Sequence, residues 1–83
     1  MKILYFAWLR AKVGVGDEDL SPPPEVATVG QLVEWLKQRS PGHDAAFAQA
    51  GLIRAAVNQD YAGADHPVAA DDEVAFFPPV TGG

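Results

Sequence analysis

The residues best suited to chemistry stand at the end of the chain, in the segment Pro78-Pro79-Val80-Thr81-Gly82-Gly83. The prolines stiffen the backbone and the glycines remove side-chain bulk, so the extended segment is a thin rod of roughly 20 Å. Its end is an α-carboxylate, which is a poor electrophile until activation gives it a good leaving group. Such an end could be threaded into a narrow slot on another protein. The alternative is an ordinary frayed terminus, and composition alone leaves both open.

Other candidate reactive residues give weaker signals. The chain has no cysteine, which excludes disulfides, thiolate metal sites and a cysteine nucleophile. Asp71, Asp72 and Glu73 are adjacent carboxylates in a predicted turn; they point in different directions, so we predict no metal site. His43 and His66 are isolated beside glycine or proline, and loop positions explain them as well as catalysis does. Since no nucleophile–base pair or phosphate loop is visible, we do not expect an enzyme that acts alone.

Composition narrows the class of partner. The 83 residues carry a net charge of −5, and the six basic residues form no run. This argues against nucleic acid, which requires clustered lysine and arginine, and favours basic partner surfaces. The apolar run over residues 1–9 is too short to span a bilayer and lacks a cleavage site, so we expect a cytoplasmic protein with no membrane association.

A helix beginning at Thr28 is predicted to organise the core. Thr28 and Gln31 form a capping-box pattern, and Ser40-Pro41-Gly42 ends the helical periodicity. Between them, apolar residues repeat at helical spacing, namely Val29, Leu32, Val33 and Leu36. Burial of Leu32, Val33 and Leu36 should contribute roughly 1.5–3 kcal/mol each. This stripe is therefore expected to pack on a sheet.

Extended segments flank this helix. Their β-branched and aromatic content predicts strands, and Gly, Pro and Asp clusters predict the turns between them. The predicted elements are a strand over 2–9, a loop over 11–24 with room for a short return strand near Asp19 and Leu20, a short helix over 45–50 ended by Gly51, and extended segments over 52–57, near Tyr61 and over 74–77. The order favours an α+β domain with one main helix across a mixed sheet.

Alternation along the strands predicts an apolar surface on the sheet face away from the helix. Leu4, Phe6, Trp8 and Phe77 are assigned to that face. An apolar patch of this kind marks a partner site, a homodimer contact or a self-covering surface. We predict a recognition surface, which comprises Phe6, Tyr61, Phe77, Pro78 and Pro79.

Five sequence segments carry a resemblance to a known family. The chain ends in DDEVAFFPPVTGG, preceded by Asp65-His66-Pro67-Val68. Further upstream stand KILYFAWLRAKVG, TVGQLVEWL and AAVNQ. In this order they resemble the small, sulfur-carrier subunit of molybdopterin synthase. The resemblance implies a ubiquitin-like β-grasp domain over residues 1–77 with an extended diglycine tail over residues 78–83.

The same resemblance implies a sulfur cycle centred on Gly83. In that family an E1-like enzyme uses ATP and magnesium to adenylate the terminal glycine, and a sulfur donor converts it to a thiocarboxylate. The tail then enters the large catalytic subunit and gives sulfur to cyclic pyranopterin monophosphate, which forms the dithiolene of molybdopterin. Carried over to this chain, Gly83 bears the adenylate and the thiocarboxylate, and Val80, Thr81 and Gly82 form the inserted tail. No cofactor is expected on the chain itself.

Other functions remain open at this point. A related ubiquitin-like carrier or modifier could serve thiamine synthesis, tRNA thiolation or protein conjugation. The thiamine carriers resemble this chain less, since they are usually shorter and lack the FFPPV sequence that precedes its glycines. A plain interaction domain with an accidental diglycine is the third reading.

Overall fold

The computed structural model describes residues 1–79, so the predictions made for Val80, Thr81, Gly82 and Gly83 lie outside the described residues. Five strands and three helices follow in the order β1 (Lys2–Tyr5), α1 (Trp8–Val13), β2 (Asp17–Asp19), α2 (Val29–Lys37), α3 (Pro41–Ala46), β3 (Arg54–Val57), β4 (Asp60–Ala62) and β5 (Glu73–Phe77). A single 3₁₀ turn, Ala50–Leu52, precedes β3. Across residues 1–79, no helix is both long and apolar enough to cross a membrane.

The strands form one mixed sheet in the order β2-β1-β5-β3-β4. The first and last strands pair in parallel at its centre, with Tyr5 opposite Phe76, and the other neighbours are antiparallel. Alternate residues of the central strands turn toward the helices and are buried, including Ile3, Val57 and Val74. The predicted α+β architecture with a mixed sheet is confirmed.

Helix α2 begins where the capping pattern predicts. The Gln31 backbone N–H donates to Oγ1 of Thr28 at 3.2 Å, while Oε1 of Gln31 accepts from the Ala27 N–H at 2.8 Å, one residue before the cap. The segment after β4 satisfies two more donors, because the N–H groups of Val29 and Gly30 bond to carbonyls of that segment. On α2, Val29, Leu32 and Leu36 are buried, whereas Val33 is only half-buried.

The predicted first strand is too long. β1 ends at Tyr5, and Ala7 adopts φ 55° and ψ −133° immediately before α1 begins at Trp8. A positive φ is unusual for a residue with a Cβ, and it turns the chain out of the sheet. Leu9 is still fully buried, but from a helix rather than a strand. The first part of the predicted loop over 11–24 is therefore helical, and its predicted return strand is β2.

The second helix lies earlier than predicted. Ser40 and Pro41, interpreted above as a stop signal, are the N-cap and first residue of α3, and the Ser40 hydroxyl accepts from the His43 N–H. Proline is favoured at a first helical position because its missing N–H would have no partner there. The chain leaves this helix at Phe47, which is fully buried against Phe76 with ring centroids 5.0 Å apart.

A polar cluster joins α3 to the edge strand β2. The carboxylate of Glu18 accepts from the Tyr5 hydroxyl and from Nε2 of His43, both at 2.8 Å, and Nδ1 of His43 lies 2.7 Å from the Ser40 hydroxyl. Burial raises the pKa of Glu18, but the hydrogen bonds from His43 and Tyr5 outweigh it and the net pKa lies below its ordinary value. Burial, followed by the Glu18 carboxylate, raises the pKa of the Tyr5 phenol, which stays a donor.

This cluster predicts an acid-sensitive contribution to stability. Because the pKa of Glu18 is lower in the folded state, the contribution is complete above the ordinary glutamate value of 4.5 and is lost as pH falls through the folded pKa. We expect Glu18→Gln to lower the melting temperature at pH 7 and to flatten its fall between about pH 5 and pH 3. Glu25→Gln removes one exposed carboxylate and is the control. Parallel melting profiles for the wild type and Glu18→Gln would contradict the assignment.

Candidate functional site at the tail exit

The sheet face opposite the helices carries an apolar surface, here called the outer patch. Its residues are Leu4, Phe6, Ala56, Tyr61, Ala75 and Phe77. Those on or directly after β1, β3 and β5 share the face because they alternate with residues buried under the helices. Tyr61 joins them as the partner of Ala56 on β3. Phe6 is 48% exposed and Tyr61 79% exposed. A group of exposed aromatic side chains on a small domain is typical of a surface that binds another protein.

The aromatic members of the outer patch surround the end of the last strand. The rings of Tyr61 and Phe77 lie 5.9 Å apart at an interplanar angle of 51°. Phe6 directly follows Tyr5, the last residue of β1 and the partner of Phe76, and the Phe6 N–H donates to the Phe76 carbonyl at 3.1 Å. Phe6 and Phe77 therefore lie side by side where the two strands end.

The tail leaves the domain from this patch. β5 ends at Phe77 and is followed by Pro78 and Pro79, which offer no backbone donor to continue the ladder. A surface groove of about 500 Å³ begins here, lined by Arg54, Tyr61, Phe77 and Pro79 among others. The structure thus brings the predicted surface residues Phe6, Tyr61, Phe77, Pro78 and Pro79 to one end of the sheet; their role in recognition stays a prediction.

One residue assigned to the outer face is elsewhere. Trp8 lies on α1 and borders a separate depression with Lys12, Ala45 and Gln49, on the helical side of the domain. The prediction for Trp8 was wrong because the turn at Ala7 ends the alternation that β1 began. Leu4, Phe6 and Phe77 do lie on the outer face.

Of the three adjacent acidic residues, Asp72 has a structural role for its carboxylate and Glu73 for its backbone N–H. Asp72 accepts from Nδ2 of Asn58 at 3.0 Å and from the Ala69 N–H at 2.7 Å, and the Glu73 N–H donates to Oδ1 of Asn58 at 3.0 Å. The Asn58 amide, followed by the Ala69 N–H, lowers the pKa of Asp72. Among residues 1–79, no group of three or more histidine, cysteine, aspartate or glutamate side chains could hold a metal ion.

The two histidines differ in their surroundings. His66 is exposed, and its Nδ1 lies 2.8 Å from the Pro67 carbonyl. His43, assigned above to a loop, is a buried residue of α3 that bonds to Glu18, 25 positions away. Sequence reasoning missed this pairing because nothing near His43 in the chain indicates its partner on β2.

Comparison with known proteins gives full-length matches. The ThiS family model matches residues 3–83. The molybdopterin synthase sulfur carrier subunit of Escherichia coli is 43% identical over 86 residues, which span 100% of this chain and 99% of that protein. Its counterpart from Haemophilus influenzae is 37% identical over 84 residues, with the same coverage of both proteins.

Solved structures agree in fold. A molybdopterin converting factor subunit 1 of Pyrococcus furiosus superposes with a TM-score of 0.78 at 33% identity, over 95% of each chain. SAMP1, a small archaeal modifier protein of Haloferax volcanii, superposes with a TM-score of 0.75 at 28% identity, over 100% of this chain and 98% of that one. The chain therefore belongs to the ThiS family, and its resemblance to the small subunit of molybdopterin synthase is confirmed over its full length.

Proposed function

We propose that this chain is the sulfur carrier subunit of a molybdopterin synthase and carries sulfur as a thiocarboxylate on Gly83. The observation that carries the proposal is the full-length match to two sulfur carrier subunits at 43% and 37% identity. The geometry supports it, since the last strand delivers the tail from the edge of an exposed aromatic patch. The chain then has two separable tasks, which are recognition by the folded domain and chemistry at the tail.

The proposed chemistry begins with adenylation. The Gly83 carboxylate attacks the α-phosphate of ATP on an E1-like enzyme, pyrophosphate leaves, and a sulfur nucleophile then displaces AMP from the acyl carbon. The resulting thiocarboxylate is a strong nucleophile. In the large catalytic subunit its sulfur bonds to a carbon of cyclic pyranopterin monophosphate, water then cleaves the acyl–sulfur bond, and Gly83 leaves as the carboxylate. In this scheme ATP and magnesium are bound by the activating enzyme. The chain acts in the cytoplasm.

The direct test is the intact mass of the chain after incubation with an E1-like enzyme, ATP, magnesium and a sulfur source. The expected result is a gain that matches replacement of one oxygen by one sulfur, mapped by fragmentation to Gly83. The same incubation without ATP is the control. An unchanged mass in the complete reaction would contradict the proposal.

Recognition through the outer patch gives a second test. Phe77→Ala removes the ring that packs beside Tyr61, and buried aromatic anchors dominate many protein interfaces. We expect the dissociation constant for the large subunit or the activating enzyme to rise at least tenfold, which is a loss of about 1.4 kcal/mol in binding free energy. Leu52→Ala, which shortens an exposed apolar residue outside the patch, should change neither affinity. If a folded Phe77→Ala chain bound both partners normally, the patch would have another purpose.

The similarity to SAMP1 supports a second candidate, a protein modifier joined through Gly83 to lysine side chains. An adenylated carboxylate would react with an amine to form an amide as it reacts with sulfur. Mass spectrometry of lysine-linked adducts that carry the C-terminal peptide of this chain, released by cleavage after Glu73, separates the two functions. Their absence beside an abundant thiocarboxylate would leave the carrier function alone.

A further inference from the structure

Arg54 occupies a distinctive position at the root of the tail. It is the first residue of β3 and pairs in register with Phe77, the last residue of β5. It borders the groove that also contacts Tyr61 and Pro79. The side chain of Arg54 is exposed. Its guanidinium therefore lies at the surface beside the outer patch.

The donors of Arg54 are mostly unused within the described chain. Ion pairs in residues 1–79 join Lys37 to Glu34 and His43 to Glu18, so Arg54 has no acidic partner among these residues. Its Nη1 donates to the Gly51 carbonyl at 3.3 Å. A guanidinium has five N–H donors arranged in a fork that matches a carboxylate. Most of them remain available.

A protein that covers Tyr61 and Phe77 would also remove water from Arg54. Burial of an unpaired charge is expensive, whereas a guanidinium paired with a carboxylate keeps its hydrogen bonds. We propose that Arg54 is the docking point for an acidic side chain of the protein that receives the tail. This inference rests on the proposed function, under which that protein is the large subunit of molybdopterin synthase.

Position favours a protein carboxylate over a nucleotide phosphate. Four residues separate Pro79 from the end of the chain, so an extended tail places Gly83 about 13 Å beyond the groove. If the tail is extended in the complex, the reacting atoms and any nucleotide near them would lie at that distance. What contacts Arg54 is therefore the partner surface around the entrance of the tail. On a chain of net charge −5, one cation at this entrance would fix the orientation of docking.

The test measures binding of the full chain to the purified large subunit at low and high salt. We expect Arg54→Gln to weaken binding and Arg54→Glu to weaken it about tenfold or more at low salt, with a smaller effect at high salt. Lys2→Glu makes the same charge change on the same sheet face, at the start of β1 and away from the tail exit. It should alter affinity by less than about twofold. Equal losses for Arg54→Glu and Lys2→Glu would overturn the proposal.

A second arm identifies the anion. The Arg54→Glu comparison is repeated in chains whose C-terminal carboxylate is amidated, which removes the charge of the tail. If the effect persists, the anion belongs to the partner; if it disappears, Arg54 pairs with the carboxylate of the tail itself and the proposal is wrong. Sulfur transfer by the thiocarboxylated wild-type chain is measured in parallel. A wild-type chain that neither binds nor transfers sulfur would defeat the proposed function and this inference with it. Normal transfer with normal binding of Arg54→Glu would defeat the inference alone.

Discussion

Deletion of Gly83 is expected to abolish sulfur transfer and to leave the folded domain nearly unchanged. Under the proposed function, adenylation and sulfur donation both use the carboxylate of this residue, and the shortened chain presents its carboxylate about 3.5 Å too early. The contacts of the core involve residues up to Phe76, so the melting temperature should stay within about 1 °C of the wild type. The measurement is molybdopterin formation by a reconstituted synthase, alongside thermal unfolding.

Two related variants control this experiment. One additional residue after Gly83 should be as damaging as the deletion, because it displaces the carboxylate in the other direction. Gly82→Ala should give partial loss, since a methyl group restricts φ and widens the tail. Binding through the outer patch should survive all three changes. Product formation at the normal rate by the chain without Gly83 would exclude the carrier function and favour a plain interaction domain.

Leu36→Ala is expected to have the largest effect on stability. Leu36 is fully buried in the core that joins α2 to the sheet. Truncation of a buried leucine removes apolar contacts and leaves a cavity, with a typical loss of about 2–5 kcal/mol. A domain of this length has roughly 4–12 kcal/mol in total, so much of its stability should disappear. Urea unfolding followed by circular dichroism gives the free energy directly.

Glu34→Ala is the matched control on the same helix. Its side chain is 71% exposed and contacts Lys37 at 3.8 Å, a surface ion pair of small energetic value. The loss should stay within about 0.5 kcal/mol. Equal losses for Leu36→Ala and Glu34→Ala would show that α2 does not pack on the sheet as described.

Much of the sheet and its main helix could be predicted from local pattern. The Thr28 cap is marked by its own sequence pattern. The helical spacing of Leu32 and Leu36 and the strand alternation of Val74 and Phe76 follow the geometric period of their elements. The outer patch followed from the same alternation, which placed Phe6 and Phe77 together. These residues were predictable because period and burial agree along each element.

The bounds of α1 and α3 could not be predicted in the same way. A continuous apolar run gives no period, so nothing in it marks Tyr5 as the end of β1. The positive φ of Ala7 could not be predicted either, because alanine rarely adopts it. Ser40 and Pro41 give signals that suit both a helix end and a helix start. His43 could not be assigned because its partner, Glu18, is brought to it by the fold.

The parallel pairing of β1 with β5 has a consequence for synthesis of the chain. The partners Ile3 and Val74 stand near opposite ends of the sequence, and their strands form the centre of the sheet. Closing so long a loop makes folding slow relative to helical proteins and delays it until β5 has been translated. A ribosome-bound chain that lacks β5 presents an incomplete outer patch, without Phe77. Under the proposed function, folding and emergence of the tail are therefore coupled in time, and an enzyme that recognises the complete outer patch would receive tails from folded domains only.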